Sequence, residues 1–491
     1  MSVSLCYVNQ GRKKIQTAFT KRLSICVRGG IMKKRMTRRS FFSGSAALGV
    51  GATALIKGSE AYGAVDKPFT DKFEAPDKPF IDQYYDGLME IAHGVRDTSV
   101  GTIAQAMEKA YELKRKGGKI YSHLLTGHYA MFAGSEDRPG QPYLLPNRSD
   151  RKTKEDIDAM KEGDFLITNG GARGLEEIRK KGVYIVGITD NYVRFAKTPP
   201  DFLRGEQDTA IEDVCDLVID SKVPYYNGLV KAPQIEGFTI CPSSGISQYL
   251  VYWACTASLA NLIGTKGKGS STEHAEKYLD LAIERFQMIG SDRPKIDWVG
   301  EKWTDLVLGK KARLLVYGRP QKVAPYGGTV NMFVNESYVV ASGSMIAQPY
   351  DNFANQLKEG DIVLIGSLES VNPLEINVAR HARSVKAYST AFTSFGIDGD
   401  SSGVHLFKEV DAAFNNYSDE REGVLEIKGF EKKICPLTGL TGNMIHWMLM
   451  AAWTDHMARR GEMPYYYQGY HEREGRDYDV MAEPYFKKRG Y

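Results

Sequence analysis

The sequence predicts an α/β fold built on parallel sheets and present in two tandem copies. Three observations carry that reading. A segment recurs 194 residues along the chain: Cys241-Pro242, Gly245 and Trp253 align without a gap on Cys435-Pro436, Gly439 and Trp447, with Ser244 and Ser247 facing Thr438 and Thr441. That offset is about one domain long and far exceeds a solenoid repeat. Short apolar runs alternate with helical ones, the pattern of a parallel sheet covered on both faces. The same order of runs occurs in both copies, with Ile120 answered by Leu314 and Gly163-Asp164 by Gly360-Asp361.

In chain order, a polar lead from Val65 to Pro79 precedes helices expected over 80–95 and 101–116, the second ended by Gly117-Gly118. A buried strand follows at 119–125 and opens into Thr126-Gly127-His128. A second strand is expected at 163–168, then the turn Asn169-Gly170-Gly171-Ala172-Arg173-Gly174, a helix over 175–181 and a strand over 183–189. These form a βαβ unit, with a further strand at 216–220. The segment Cys241-Pro242-Ser243-Ser244 then turns into a helix apolar on nearly every side, which marks it as buried. Ser244 is its expected N-cap, as Thr438 is in the second copy. A helix N-terminus can also present free N–H groups to an anionic or polyol ligand, so ligand contact stays open on top of capping.

The Gly/Lys/Ser-rich stretch 264–272 reads as a linker between a first domain at 65–263 and a second at 273–460. The second copy runs through a helix at 273–288, strands at 313–317 and 360–365, and the turn Gly366-Ser367-Leu368-Glu369-Ser370. A helix at 373–382 and a strand at 384–389 complete it. The tail 461–491 is aromatic and charged without periodicity, and is expected to wrap onto its own body or a neighbour.

Residues 1–64 belong to neither copy. Arg38-Arg39-Ser40-Phe41-Phe42, a weakly apolar run at 43–56 and Ala61-Tyr62-Gly63-Ala64 give the basic, apolar and small-residue parts of an export signal. The arginine pair resembles a twin-arginine (Tat) signal, which implies the Tat machinery as partner and a periplasmic or extracellular location. Glycines interrupt a run shorter than the ~20 residues of a membrane span, so no integral membrane segment is expected after processing. Met32 and Met36 stand as alternative translation starts. Residues 1–64 hold 12 of the 64 Lys and Arg and one of the 60 Asp and Glu, leaving 52 basic against 59 acidic residues, a net of −7. An acidic body without a basic stripe argues against nucleic acid as partner. Cys215, Cys241, Cys255 and Cys435 show no CxxC spacing and no histidine cluster, so neither a metal site nor a cofactor is expected. Packed thiols are expected rather than a disulfide.

At Lys116-Gly117-Gly118-Lys119-Ile120, Thr126-Gly127-His128, Gly163-Asp164-Phe165-Leu166-Ile167 and Gly182 to Thr189, the first copy resembles a sugar isomerase (SIS) domain. Ile235-Glu236-Gly237-Phe238 and Cys241-Pro242-Ser243-Ser244 match the segment that stand-alone SIS proteins carry before their final helix. The second copy matches at Gly360-Asp361, Ile427-Lys428-Gly429-Phe430 and Pro436-Leu437-Thr438. The resemblance spans roughly 80–460 and implies two tandem flavodoxin-like αβα sandwiches that bind a phosphosugar at the carboxyl ends of their strands. It also implies a Ser/Thr-rich phosphate loop, a glutamate moving a proton between C1 and C2, and a histidine assisting ring opening. Here Thr168 to Gly174 replaces the Ser-x-Ser-Gly loop, losing the serine pair and gaining Arg173; the second copy keeps Ser367 and Ser370 around Glu369.

The catalytic candidates are therefore Glu236, His128 and Glu369. The substrate-binding candidates are Thr126, Asn169, Gly170, Arg173, Ser243, Ser244, Ser367, Ser370 and Thr438. Each has a plainer alternative. Glu236, which follows a strand-like Pro233-Gln234-Ile235, can be an exposed acid, its counterpart being Lys428, and Glu369 an acid balancing a helix dipole. Arg173 can be a solvated turn residue rather than an anion clamp, and His128 a structural histidine. His123 and His446 read as core residues. The sequence points to an exported protein that binds a sugar or sugar derivative through altered phosphosugar loops. The alternative is an aldose–ketose isomerase.

Overall fold

A computed structural model describes residues 69–70, 76–123, 144, 154–169, 174–189, 211–224, 228–235, 239–317, 338–339, 357–367, 370–396, 403–418, 423–464, 466–467, 485, 489 and 491. All of them belong to one compact unit, 65–491. The proposed export signal lies outside the described residues.

The first half runs α1 (Phe80–Gly94), a π turn at Val95–Ser99, α2 (Val100–Arg115), β1 (Ile120–His123), α3 (Lys154–Ala159), β2 (Phe165–Thr168), α4 (Leu175–Lys180), β3 (Tyr184–Thr189), α5 (Ile211–Val214) and β4 (Leu217–Asp220). A hairpin, β5 (Gly228–Val230) with β6 (Ile240–Pro242), leads into α6 (Ser244–Gly264). The second half runs α7 (Glu273–Ser291), α8 (Arg293–Lys310), β7 (Leu314–Tyr317), β8 (Tyr338–Val339), β9 (Ile362–Gly366), α9 (Pro373–Ser384), β10 (Tyr388–Thr393), α10 (Leu406–Glu409), β11 (Ala412–Asn415) and α11 (Thr438–Arg459). β12 (Tyr466–Tyr467) pairs antiparallel with β8.

Strands β1, β2, β3 and β4 lie side by side in that order and all parallel; β7, β9, β10 and β11 do the same in a second sheet. Both sheets are apolar on both faces, as buried parallel sheets must be. Phe165, Ile167, Val186 and Ile188 face the large central core, while Leu166 and Ile185 pack with Leu175, Ile178 and Val214 of the outer helices. In the second sheet, Ile362, Leu364 and Phe392 face the same central core, and Val363, Ile365 and Ala391 meet Ile376, Ala379 and Leu406. Helices thus cover each sheet on both sides, and the fold is α/β with parallel sheets in αβα layers.

Two helices fill the centre. In α6, 18 of 21 residues are buried, and in α11, 20 of 22, so neither has a wet face. Their neighbours are exchanged between the halves: α2 and α7 pack on α6, while α8 and α1 pack on α11. Asp455 of α11 shows how tight the exchange is. Its carboxylate takes the Phe80 N–H at 3.1 Å and the Arg459 guanidinium at 2.8 Å, capping an α1 whose own N-cap, Pro79, has no side-chain acceptor.

Matching details recur in each half. Asp164 accepts from the Lys119 and Lys161 N–H groups at 2.8 and 3.0 Å; Asp361 accepts from Lys358 at 2.8 Å and holds the Arg313 guanidinium. Tyr84 Oη donates to the Pro242 carbonyl at 3.2 Å, and Tyr278 Oη to that of Pro436 at 3.0 Å. Cys241 and Cys435 both sit in the left-handed region, at φ 60° and 62°. All four cysteines of the described residues are free thiols.

Three local expectations need correction. Ser244 and Thr438 are the first helical residues rather than the caps; Ser243 and Leu437 hold the N-cap positions in αR geometry without a side-chain capping bond. The helix centred on 373–382 runs on to Ser384, and Lys386 (φ 60°) makes the turn, so the next strand is 388–393 and not 384–389. Pro233-Gln234-Ile235 turns back, with the Ile235 N–H on the Ala232 carbonyl, and is not strand. In the tail, Arg489 pairs with Glu462 and lies 5.7 Å from the centre of the Phe69 ring, so this part folds back onto the body.

Candidate functional site

Parallel order places the carboxyl ends of all four strands of a sheet along one edge, where ligands of open α/β sheets bind. Along the first edge lie His123, Thr168, Asn169, Thr189 and Ser221, all buried. The start of α6 supplies Ser243, Ser244, Ser247 and Gln248, also buried. Asn169 Nδ2 donates to Gln248 Oε1. Ser247 Oγ donates to the Ser221 carbonyl, and Ser221 Oγ to that of Thr189. These bonds stitch the ends of β2, β3 and β4 to α6. The structure therefore places Asn169, Ser243 and Ser244 in one edge region, together with Gln248, Ser247 and Ser221. Thr126, His128, Gly170, Arg173 and Glu236 lie outside the described residues.

The second edge is built differently. Past β9 come Ser367, whose N–H donates to the Phe392 carbonyl at 3.0 Å, and Ser370. Ser370 Oγ shares a 3.0 Å hydrogen bond with His405 Nδ1, and its carbonyl takes the Leu406 N–H at 2.6 Å. The imidazole stacks on Phe407, ring centres 4.9 Å apart. Asn372 caps α9 by accepting from the Leu374 N–H at 3.0 Å, and Glu375, at the third helical position, is buried at 2% exposure. That Asn–x–x–Glu spacing is the sequence signature of a helix start. Thr438 is buried at the start of α11, and its Oγ1 finds no partner among the described residues. Glu369 lies outside the described residues. Ser367 and Ser370 thus follow β9 at this sheet's carboxyl edge, Thr438 opens α11, and His405 and Glu375 are the residues sequence reasoning passed over.

The edges differ in their buried helix as well. Where α6 has Tyr252, α11 has His446; burial pushes that imidazole down to about 3, so it is neutral and packs edge-on against Trp447 at 4.8 Å. It is a core residue, as expected. Among the described residues, no group of three or more His, Cys, Asp or Glu could hold a metal ion, and no helix is long and apolar enough to cross a membrane.

No family profile matches the chain, and no curated protein does. Solved structures with a broad likeness include the C-terminal domain of glucosamine-fructose-6-phosphate aminotransferase from Francisella tularensis, at 9% identity and TM-score 0.39, covering 77% of this chain and 97% of that one. Tagatose-6-phosphate ketose/aldose isomerase from Escherichia coli gives 11% identity and TM-score 0.39 over 78% of this chain and 95% of that one. Glucosamine-6-phosphate deaminase from Thermotoga maritima gives 11% and 0.36, covering 78% and 96%. At these scores the likeness assigns no function.

Proposed function

We propose that the chain is a tandem SIS-type protein that binds a sugar or sugar derivative at the carboxyl edges of its sheets. The observation that carries this is the first edge itself: Asn169, Ser221, Ser243, Ser244, Ser247 and Gln248 gather there, buried and free of formal charge. Hydroxyls and amides that can both donate and accept suit a polyhydroxylated ligand. The missing serine pair of the phosphate loop favours a ligand other than the phosphosugars of SIS isomerases. Export by the Tat route, proposed from Arg38-Arg39, agrees with this, because phosphosugars stay in the cytoplasm.

The test is binding of sugars, sugar acids and phosphosugars to the purified chain, read by thermal shift and calorimetry. Binding of at least one uncharged or acidic sugar is expected, weakened by Asn169→Ala; no binding across the panel overturns the proposal. Replacing Arg38 and Arg39 by lysine should hold the protein in the cytoplasm, and unchanged export would remove the Tat assignment.

Buried Glu375 and the Ser370–His405 pair favour a second reading, an aldose–ketose isomerase, since a carboxylate and an imidazole are the groups that proton shuttling between C1 and C2 uses. Deuterium incorporation at C1 of fructose 6-phosphate or at C2 of glucose 6-phosphate in heavy water would establish it.

A further inference from the structure

Three large apolar side chains are exposed among the described residues: Trp298, Leu374 (44%) and Phe395 (38%). Two of the three stand at the second sheet's carboxyl edge, Leu374 at the start of α9 and Phe395 just past β10. Phe395 is the outer member of a stack. Its ring centre lies 4.6 Å from that of Phe407, and Phe407 lies 4.9 Å from His405 at an interplanar angle of 25°. The Phe395 N–H is held by Asn415 Oδ1 at 3.2 Å, which fixes the backbone at the end of the strand.

Polar groups flank this shelf. His405 Nδ1 is committed to Ser370 Oγ, which sets the ring's orientation and leaves Nε2 as its remaining hydrogen-bonding atom. Thr393, two residues before Phe395, ends β10 with a buried Oγ1 that finds no partner among the described residues. A buried hydroxyl without a partner costs stability unless a ligand or water meets it.

The surroundings argue against an anion. The N-terminus of α9 is spent on itself: Pro373 has no N–H, the Leu374 N–H goes to Asn372 Oδ1, and that of Ile376 to the Asn372 carbonyl. The guanidinium groups of Arg380 and Arg383, further along α9, are both on Glu409, at 3.0 Å each. The one cation seen on the stack among the described residues, Lys408 Nζ at 5.8 Å from the Phe407 ring centre, donates to the Gly403 carbonyl at 3.4 Å. An exposed aromatic face beside neutral donors and acceptors is complementary to a pyranose ring, with one C–H face and a rim of hydroxyls.

We propose that the second sheet's carboxyl edge carries a subsite for an uncharged pyranose, which lies on Phe395 and meets His405 and Thr393 with its hydroxyls. The subsite deepens the carbohydrate-binding reading and rests on it. Phe407 and Leu374 extend the apolar floor, and Ser370 positions the imidazole.

Saturation-transfer NMR and calorimetry of the full chain test it, with the methyl β-glycosides of glucose, galactose and N-acetylglucosamine as probes. At least one should bind, with transfer concentrated on the C–H protons of one face. Phe395→Ala should weaken that binding on the order of ten-fold. His405→Phe keeps the stack while removing the hydrogen bonds, and should blur the preference among the three glycosides with face contact retained. Should Phe395→Ala fail to fold, Phe395→Leu keeps apolar bulk without the flat face and should show the same loss. Undiminished binding in folded Phe395 variants overturns the subsite and leaves sugar binding elsewhere intact. Glucose 6-phosphate binding more than ten-fold tighter than methyl glucoside, and lost in Phe395→Leu, overturns the uncharged class. No binding of any of the three glycosides to the unaltered chain overturns this subsite, while the wider carbohydrate reading falls only if the sugars, sugar acids and phosphosugars of the full panel also fail to bind.

Discussion

His456 and Asp297 meet where α11 crosses α8, with Nε2 and Oδ1 3.0 Å apart. The hydrogen bond to Asp297 raises the imidazole pKa, with smaller help from the charges of Asp455 and Glu301 and opposition from burial. A pKa raised in the folded state adds stability that is present in full below the unfolded value of about 6.5 and fades as pH rises through the folded value. His456→Gln should therefore lower stability at pH 5, by at most about 1 kcal/mol because Asp297 is part-exposed, and change it little at pH 9. Thermal melts at the two pH values check this; an equal loss at both would assign the effect to packing. Cys241 carries a different kind of cost. At φ 60° a side chain with a Cβ is strained by about 1–2 kcal/mol, and a β-branched one by more. Cys241→Gly should shift stability by less than about 1 kcal/mol, relief of strain offsetting lost packing, whereas Cys241→Val should lose more than about 2 kcal/mol. Urea denaturation distinguishes them, and a Val variant as stable as the Gly variant would remove strain as the explanation.

Among the elements, α8 and α11 cross at Gly300, where a Cβ would come within 2.8 Å of the Ala452 Cβ and 2.7 Å of its carbonyl carbon. Gly300→Leu is expected to cost about 3 kcal/mol or more by overpacking and to push the helices apart; a melting temperature within 2 °C of the parent, about 1 kcal/mol at this size, would contradict that. How much of this level could be read from sequence depended on burial. Strands at 165–168 and 362–366 were legible because Phe165-Leu166-Ile167 and Ile362-Val363-Leu364-Ile365 are apolar on both faces. The strand 388–393 was misplaced because Ser389, Thr390 and Thr393 look like surface residues, yet Ser389 Oγ bonds Asp411 and Thr390 Oγ1 accepts from Trp303 Nε1 in the core. Helix 293–310 went unread because its polar residues hide a buried stripe of Ile296, Val299, Trp303, Leu306 and Val307. The site was half legible. Asn169, Ser244 and Ser370 sit at strand ends or helix starts, where local pattern points. Gln248 and His405 matter through partners 79 and 35 residues away, a pairing that no local spacing reveals.

At the scale of the whole molecule, two sheets of the same strand order stand around one shared core, and each half's first helix packs on the other half's last. We read this as a tandem duplication whose copies have diverged at their edges: amides and serines at the first, a histidine beside an aromatic stack at the second. Because the core is shared, the halves should unfold together. Asp455→Ala, which removes the acceptor shared by the Phe80 N–H and the Arg459 guanidinium, should lower a single cooperative transition by about 2–4 kcal/mol. Two separate transitions in calorimetry would show that the halves stand apart. The central claim is that a sugar binds at carboxyl edges, and hydrogen exchange read by mass spectrometry, with and without the tightest-binding sugar, tests it most directly. Protection should appear at 165–169 and 240–248, at 366–374, 393–396 and 405–407, or at both sets. The opposite turns, 117–120, 161–164 and 358–361, should be unchanged. Protection confined to those opposite turns would contradict the account.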